Sequence, residues 1–207
     1  MKTEDTKRRI LEKALELFAA RGYTAVSVAE IAQAVGIKAP SLYNHYPSKQ
    51  AIFEAIVAET AAQYEEYTNT LSVHVERAEK DNGLFSGITL ESLQQKVRQI
   101  FVFSLHNPTV SRFRRMMTIE QYRLPELSAL YSERYVDRLT AYHAAIFRKL
   151  AEQGEICAEN PQTLALLYVS PILTLLGVCD RQPEREDECV ERLDAHVRLF
   201  YQTFHTS

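Results

Sequence analysis

Apolar residues recur every three or four positions along most of the chain, which is the spacing of amphipathic helices. The first apolar stripe runs from Ile10 to Phe18, and charged residues occupy the other side of the same predicted helix. Arg21-Gly22 follows this stripe. We therefore predict a first helix that stops at Gly22, because glycine readily takes the left-handed conformation after a last helical turn. No internal repeat and no βαβ order is visible in the sequence, so the pattern predicts an all-α fold.

Two short helices are predicted next, with a glycine between them. Residues 27–30 read Ser-Val-Ala-Glu, a capping box that opens the second helix, and Gly36 ends this helix after two turns. The third helix covers about residues 38–45 and ends before Pro47, because a residue that precedes proline disfavours helical backbone. Residues 24–46 thus have the spacing of a helix-turn-helix.

About six more helices are predicted in the rest of the chain. Their ranges are 49–71, 89–105, 108–117, 125–154, 161–178 and 183–204, and residues 77–87 are predicted to form a loop. Only 6 Gly and 7 Pro occur in 207 residues, and most of them lie between these helices. Their share is about half of the average of about 12%. We therefore expect about nine helices with few connections.

The N-terminal part of the chain differs in charge from the rest. The whole chain has a net charge of −3, which by itself argues against nucleic-acid binding. Residues 1–55, however, hold eight basic and six acidic residues, whereas the remainder holds 16 basic and 21 acidic ones. No acidic residue lies between Glu30 and Glu54. This window therefore suits a surface that faces phosphates.

The third predicted helix carries the side chains that would contact DNA. Lys38, Ser41, Tyr43, Asn44 and His45 can all form hydrogen bonds, and no carboxylate competes with them. Lysine and tyrosine suit phosphates, whereas asparagine and histidine can recognise the edges of bases. The alternative is a plain helical corner whose polar residues face solvent.

The run from Thr24 to Lys49 closely resembles the signature of the TetR family of bacterial transcriptional regulators, and residues 10–23 match it as well. The specific part of the match is the helix-turn-helix spacing with Ser41-Leu42-Tyr43-Asn44-His45-Tyr46, followed by Lys49 just inside the next helix. The resemblance covers roughly residues 5–55. Beyond them it is architectural only.

The resemblance implies a DNA-contacting role for nine positions. Ser27 and Lys49 match positions that contact phosphates at helix ends, and Tyr43 and Tyr46 match aromatic residues that contact the DNA backbone. Base edges or neighbouring phosphates are implied for the residues that begin or line the recognition helix: Lys38, Ala39, Ser41, Asn44 and His45. Ala29 stands where some members of the family place a base-reading arginine, so the second helix is not expected to read bases.

The resemblance also implies two domains and a mode of action. Residues 1–48 would form the DNA-binding domain, and residues 49–207 a larger helical domain that binds a small-molecule effector and dimerises. The partners expected are a palindromic double-stranded DNA operator and a second copy of the chain, with the effector releasing a repressor from DNA. We expect the last two helices to form the dimer through a seam of apolar residues: Val190, Leu193, Val197, Phe200 and Phe204. The alternative is that both helices are buried within one subunit.

Aromatic residues with polar groups are the candidates for the effector pocket, because such side chains suit an apolar cavity with a few orienting hydrogen bonds. The candidates on the middle helices are Phe103, His106, Tyr122, Tyr142, His143 and Tyr168. Each of them could instead be an ordinary packing or surface residue.

Other classes of protein are disfavoured by what the sequence lacks. Its three cysteines are not in metal-ligand spacing, and it has no nucleophile elbow and no phosphate-binding loop, so we expect no metal, no cofactor and no enzyme. The start of the chain is charged, and the longest apolar stretch, Leu164 to Cys179, is too short to span a membrane. We expect a cytoplasmic protein, the alternative function being a helical ligand-binding or scaffold protein that does not bind DNA.

Overall fold

A computed structural model describes residues 2–157 and 159–206, and in this part of the chain the fold is helical without any β-strand. The predicted all-α class is confirmed. The α-helical segments are α1 (Lys2–Arg21), α2 (Val28–Val35), α3 (Ala39–Tyr43), α4 (Lys49–Thr70), α5 (Asn82–Phe85), α6 (Leu90–His106), α7 (Pro108–Glu120), α8 (Pro125–Ser132), α9 (Arg138–Glu152), α10 (Pro161–Arg181) and α11 (Glu186–Phe204).

The helix ends near the N-terminus follow their local sequence signals. Ser27 Oγ accepts a hydrogen bond from Glu30 N at 3.3 Å, while Glu30 Oε2 accepts one from Ser27 N at 2.8 Å, so the capping box is formed. Gly22 and Gly36 both adopt positive φ angles, of 87° and 80°, directly after a helix. At the start of α4, Ser48 Oγ accepts from Ala51 N at 3.0 Å.

Three segments differ from the prediction. Residues 77–87 contain a 3-10 turn and α5 instead of a plain loop, the helix predicted over 125–154 passes through a π-helical segment at Glu133–Asp137, and the last helix begins with a 3-10 turn. The prediction of a plain loop is wrong because residues outside this segment hold it in a defined conformation. Asp81 is fully buried, and its Oδ2 accepts hydrogen bonds from His74 N and from Tyr142 Oη of α9.

The chain divides into two compact units. The first comprises the residues up to Tyr64 together with Asn107–Tyr131, and the second comprises Glu65–His106 together with the residues from Ser132 onward. In the first unit, α7 packs along α1 and contributes the fully buried Phe113, Met116 and Met117. These bounds describe packing and differ from the predicted functional boundary after residue 48, which stays a prediction.

The second unit contains the predicted dimer seam, and here the prediction is wrong. Leu193 and Val197 are fully buried inside the unit, and Val190, Phe200 and Phe204 pack against its cores. Helical periodicity identifies the apolar side of α11 but not what covers it, and α6 and α10 of the same subunit do so. Other apolar side chains of the last two helices are exposed: Leu166 (50%), Leu167 (56%) and Leu199 (66%).

Helix α10 is longer than the apolar stretch identified in the sequence. It has 21 residues and is long and apolar enough to cross a membrane by length and composition alone. Much of its apolar surface is used within the second unit, because Leu164, Ala165, Tyr168 and Val169 belong to a buried core. A core helix of this composition is an ordinary feature of a folded helical unit.

Candidate functional site

The helix-turn-helix is formed by α2 and α3, which pack on each other through small and aliphatic side chains. Ile31, Ala32 and Val35 of α2 are buried, as is Leu42 of α3. The corner depends on the backbone of Gly36, because its φ of 80° disfavours residues with a side chain. A Cβ atom at this position would meet nothing within 4 Å, so the constraint is conformational and not steric.

The structure brings the predicted base-reading and phosphate-contacting side chains of α3 together on its solvent side. Lys38, Ser41, Tyr43 and Asn44 are exposed, while the buried Leu42 between them fixes the helix against α2. The other predicted residues of this region are less accessible: Ala39, His45 and Tyr46 are each partly buried. An exposed polar side with no carboxylate can approach a polyanion without charge repulsion.

Ser27 is exposed, and its hydroxyl is already used in the cap of α2. Besides accepting from Glu30 N, Ser27 Oγ donates to Glu30 Oε2 at 2.8 Å, and Glu30 Oε1 pairs with Arg21 Nη2 at 2.7 Å. The hydrogen bond from the Ser27 backbone lowers the pKa of Glu30 most. The hydrogen bonds from the side chains of Ser27 and Arg21 lower this pKa further, to about 2. A phosphate near Ser27 would therefore meet an ionised carboxylate that Arg21 partly neutralises.

Lys49 has an internal role that the sequence did not reveal. Its Nζ donates to the carbonyl oxygens of Tyr23 at 3.0 Å and Val26 at 2.9 Å, and it lies 4.3 Å from the centre of the Tyr23 ring. The ammonium thus ties the start of α4 to the turn that precedes α2. Burial lowers the pKa of Lys49, and the charge of Glu120 opposes this shift. Phosphate contact by Lys49 stays a prediction.

Glu120, at the end of α7, is a second residue that sequence reasoning missed. It is fully buried, its Oε2 accepts from Thr24 Oγ1 at 2.9 Å, and Arg123 Nη1 lies 3.4 Å from its Oε1. Gly22 lies so close that an added Cβ would clash with the Glu120 carboxylate. No local pattern in the sequence identifies the partner of Thr24, which lies 96 positions away. Gly22 is the one local signal that indicates a close approach of another segment to this turn.

Three of the six effector-pocket candidates lie together in the second unit. The centroid of the His143 ring is 5.0 Å from the ring centroids of both Tyr142 and Tyr168. The ring centroids of Phe147 and Tyr168 are 5.7 Å apart. Burial lowers the pKa of His143 to about 4, so the ring is neutral at pH 7, with Nδ1 facing the carbonyl oxygen of Leu139. Burial also raises the pKa of Tyr168. His143 and Tyr168 thus bring neutral polar groups to the cluster, whereas Tyr142 Oη donates to the carboxylate of Asp81.

The other three candidates do not join this cluster. Phe103 stacks on Tyr67 at 3.9 Å, and His106 Nε2 lies 2.8 Å from Glu186 Oε1 at the surface. Tyr122 belongs to the first unit, where its side chain is 89% exposed. Their roles were proposed from residue type, which does not report where a side chain is placed.

Comparisons with known proteins agree with this geometry. Residues 10–56 match the sequence model described as "Bacterial regulatory proteins, tetR family". The chain is 26% identical over 202 residues to the Bacillus subtilis protein named "Probable HTH-type transcriptional regulator YttP", an alignment that covers 96% of this chain and 88% of that one.

Solved structures share the fold along the whole chain. A protein from Mesorhizobium loti assigned to the TetR-family transcriptional regulators superposes with a TM-score of 0.69 at 23% identity, covering 100% of both chains. SmeT, the repressor of the Stenotrophomonas maltophilia multidrug efflux pump SmeDEF, gives a TM-score of 0.68 at 16% identity, covering 100% of this chain and 94% of SmeT. SmeT has also been solved in complex with triclosan.

Proposed function

Because the chain belongs to the TetR family of bacterial regulatory proteins, we propose that it is a DNA-binding transcriptional repressor released from its operator by a small-molecule effector. The observation that carries this proposal is the exposed polar side of α3. Lys38, Ser41, Tyr43 and Asn44 face solvent there, and the buried Leu42 holds the helix in place. The regulator acts in the bacterial cytoplasm and is not an enzyme.

The proposed complex places α3 in the major groove of DNA. Lys38 and Tyr43 contact phosphates, and Ser41 and Asn44 reach base edges, as their chemistry allows. Two copies of the chain bind a palindromic operator whose half-sites lie about one helical turn or more apart. Lys49 contributes by holding the turn before α2, through its hydrogen bonds to Tyr23 and Val26.

A dimer through α10 and α11 is supported by the exposed leucines of these helices. Leu166, Leu167 and Leu199 are each at least half exposed, although neighbouring positions are buried in the core of the second unit. Two helices from each subunit would form a four-helix bundle about a two-fold axis, which buries these side chains. The dimer face thus uses the side of α11 opposite to the seam predicted from the sequence.

The effector site is proposed at the aromatic cluster of Tyr142, His143 and Tyr168. An apolar molecule with one or two hydrogen-bonding groups suits a cluster in which His143 and Tyr168 are neutral at pH 7. Helix α4 has residues in both compact units, so a shift of this helix can transmit effector binding. The effector then favours a dimer state whose recognition helices no longer match the half-site spacing.

Selection of duplexes from a random DNA library tests the function and does not require a known operator sequence. The full chain should enrich a two-fold symmetric sequence, and Asn44→Ala should bind it with reduced discrimination between bases. Failure to enrich any sequence, or binding that ignores sequence at physiological salt, would favour a helical ligand-binding or scaffold protein instead.

A further inference from the structure

An open cleft of about 480 Å³ lies in the first unit, next to Tyr23. It is distinct from the aromatic cluster proposed as the effector site, because the two share no residue. Five apolar side chains of α4, α8 and the turn between α7 and α8 form its floor: Phe53, Val57, Leu124, Leu127 and Leu130. The remaining lining residues are polar or aromatic: Tyr23, Gln50, Glu54 and Glu126.

Two carboxylates at this cleft have no cationic partner among the residues that the structure describes. Glu54 and Glu126 are both exposed, and neither forms an ion pair there. Glu54 Oε1 accepts only from Gln50 Nε2 at 3.2 Å, and Gln50 Oε1 in turn accepts from Tyr23 Oη at 3.1 Å. The pKa of Tyr23 is raised mainly by burial, and the negative charges of Glu54 and Glu126 raise it further. Both carboxylates therefore act on the same ring.

We propose that this cleft binds an organic cation with an aromatic or branched aliphatic body. The body would cover Phe53, Leu127 and Leu130, and removing this apolar surface from water favours binding. The positive charge would lie near Glu54 and Glu126, whose carboxylates attract it. An anion of the same size is repelled by both carboxylates.

The position of the cleft gives such a ligand a direct path to the helix-turn-helix. Tyr23 lines the cleft with its side chain, while its carbonyl oxygen accepts a hydrogen bond from Lys49. Leu124 lies four residues after Glu120, which holds Thr24. The occupant therefore contacts both segments that fix the turn before α2. An effect on DNA affinity rests on the proposed function, whereas binding of the cation does not.

Calorimetric titration of the full chain with tetraphenylphosphonium, in the absence of DNA, tests the site. We expect saturable binding of one cation per subunit, weakened on the order of ten-fold in the double variant Glu54→Gln/Glu126→Gln. Added salt should weaken binding to the wild type and have less effect on the double variant. Glu66→Gln, which removes an exposed carboxylate of α4 outside the cleft, is the matched control and should bind as the wild type does.

A second variant keeps both carboxylates. Leu130→Lys brings an ammonium from the chain itself into the cleft and should also weaken binding, while tetraphenylborate, an anion of equal size and shape, should not bind there. The proposal is overturned if the wild type shows no saturable binding or if the double variant binds the cation as tightly as the wild type. It is equally overturned if Tyr168→Phe, in the second unit, lowers the affinity while the Glu54/Glu126 double variant does not.

Discussion

The carboxylate of Glu120 accepts a hydrogen bond from the hydroxyl of Thr24 at 2.9 Å, although 96 positions separate the two residues in the chain. Glu120 ends α7, and Thr24 belongs to the turn between α1 and α2. A helix outside the N-terminal segment thus holds the turn that leads into the helix-turn-helix. Because Glu120 is fully buried, this contact is screened little by solvent.

Replacing Glu120 should destabilise the first unit. Glu120→Ala leaves the Thr24 hydroxyl without its acceptor and opens a cavity, so we expect the free energy of unfolding to fall by about 2–4 kcal/mol. Urea denaturation measures the change, and Glu126→Ala, at an exposed site, is the control. A double-mutant cycle with Thr24→Val should give a coupling energy of about 1 kcal/mol. Additive single effects would mean that the hydrogen bond contributes nothing.

Alanine substitutions at two glycines distinguish the stability cost of an unfavourable backbone conformation from the cost of a steric clash. Gly22 and Gly36 have similar positive φ angles, of 87° and 80°, but only Gly22 has a neighbour, Glu120, where a Cβ would stand. Gly36→Ala should cost about 1–2 kcal/mol of stability, the usual penalty for the left-handed region. Gly22→Ala should cost clearly more in the same denaturation experiment. Equal costs would show that the Glu120 carboxylate moves away freely.

Stability should depend on pH through His143. Its pKa is about 4 in the folded protein against an ordinary value of 6.5, so between these values the unfolded chain binds a proton that the folded chain does not. Stability therefore falls as the pH drops from 6.5 to 4, with a slope of at most about 1.4 kcal/mol per pH unit. Denaturation of the wild type and His143→Gln between pH 7 and 4 measures the difference. A difference that does not change with pH contradicts the burial of His143.

The dimer face can be tested at a residue that the core does not need. Leu199 is 66% exposed in the subunit, so Leu199→Asp should leave the subunit folded while placing a charge in the proposed interface. Analytical ultracentrifugation should show a dimer for the wild type and a monomer for the variant at micromolar concentration. Gln95→Asp, at an exposed position of α6 outside the proposed interface, is the control for an added negative charge and should leave the dimer intact. An unchanged dimer of Leu199→Asp would place the interface elsewhere.

The parts of the fold that were predicted from the sequence are those with local causes. The capping box at Ser27 and the glycine at 36 act within a few residues, so the helix-turn-helix could be located from them alone. Contacts between distant positions could not be predicted in this way. The bond of Lys49 to the Tyr23 carbonyl and that of Glu120 to Thr24 join residues 26 and 96 positions apart.

The candidate residues show the same limit. Leu193 belongs to an apolar stripe, but periodicity alone could not tell whether a partner subunit or the same subunit covers it, and the latter is true. Likewise, Tyr122 and Tyr168 are the same residue type with opposite environments, one exposed and one buried. Residue chemistry suggested possible roles, and only the packing separated them.

Fluorescence anisotropy on the selected operator and on a scrambled duplex measures whether α3 recognises specific DNA. Lys38→Ala should weaken binding to both duplexes and reduce the slope of log affinity against log salt by about 1. Asn44→Ala should lose about 1–3 kcal/mol on the operator and much less on the scrambled duplex. Gln95→Ala, at an exposed position of α6 outside α3 and outside the proposed dimer face, should leave both affinities unchanged. Equal wild-type affinities for the two duplexes, or affinities unchanged in both α3 variants, would show that α3 does not recognise specific DNA.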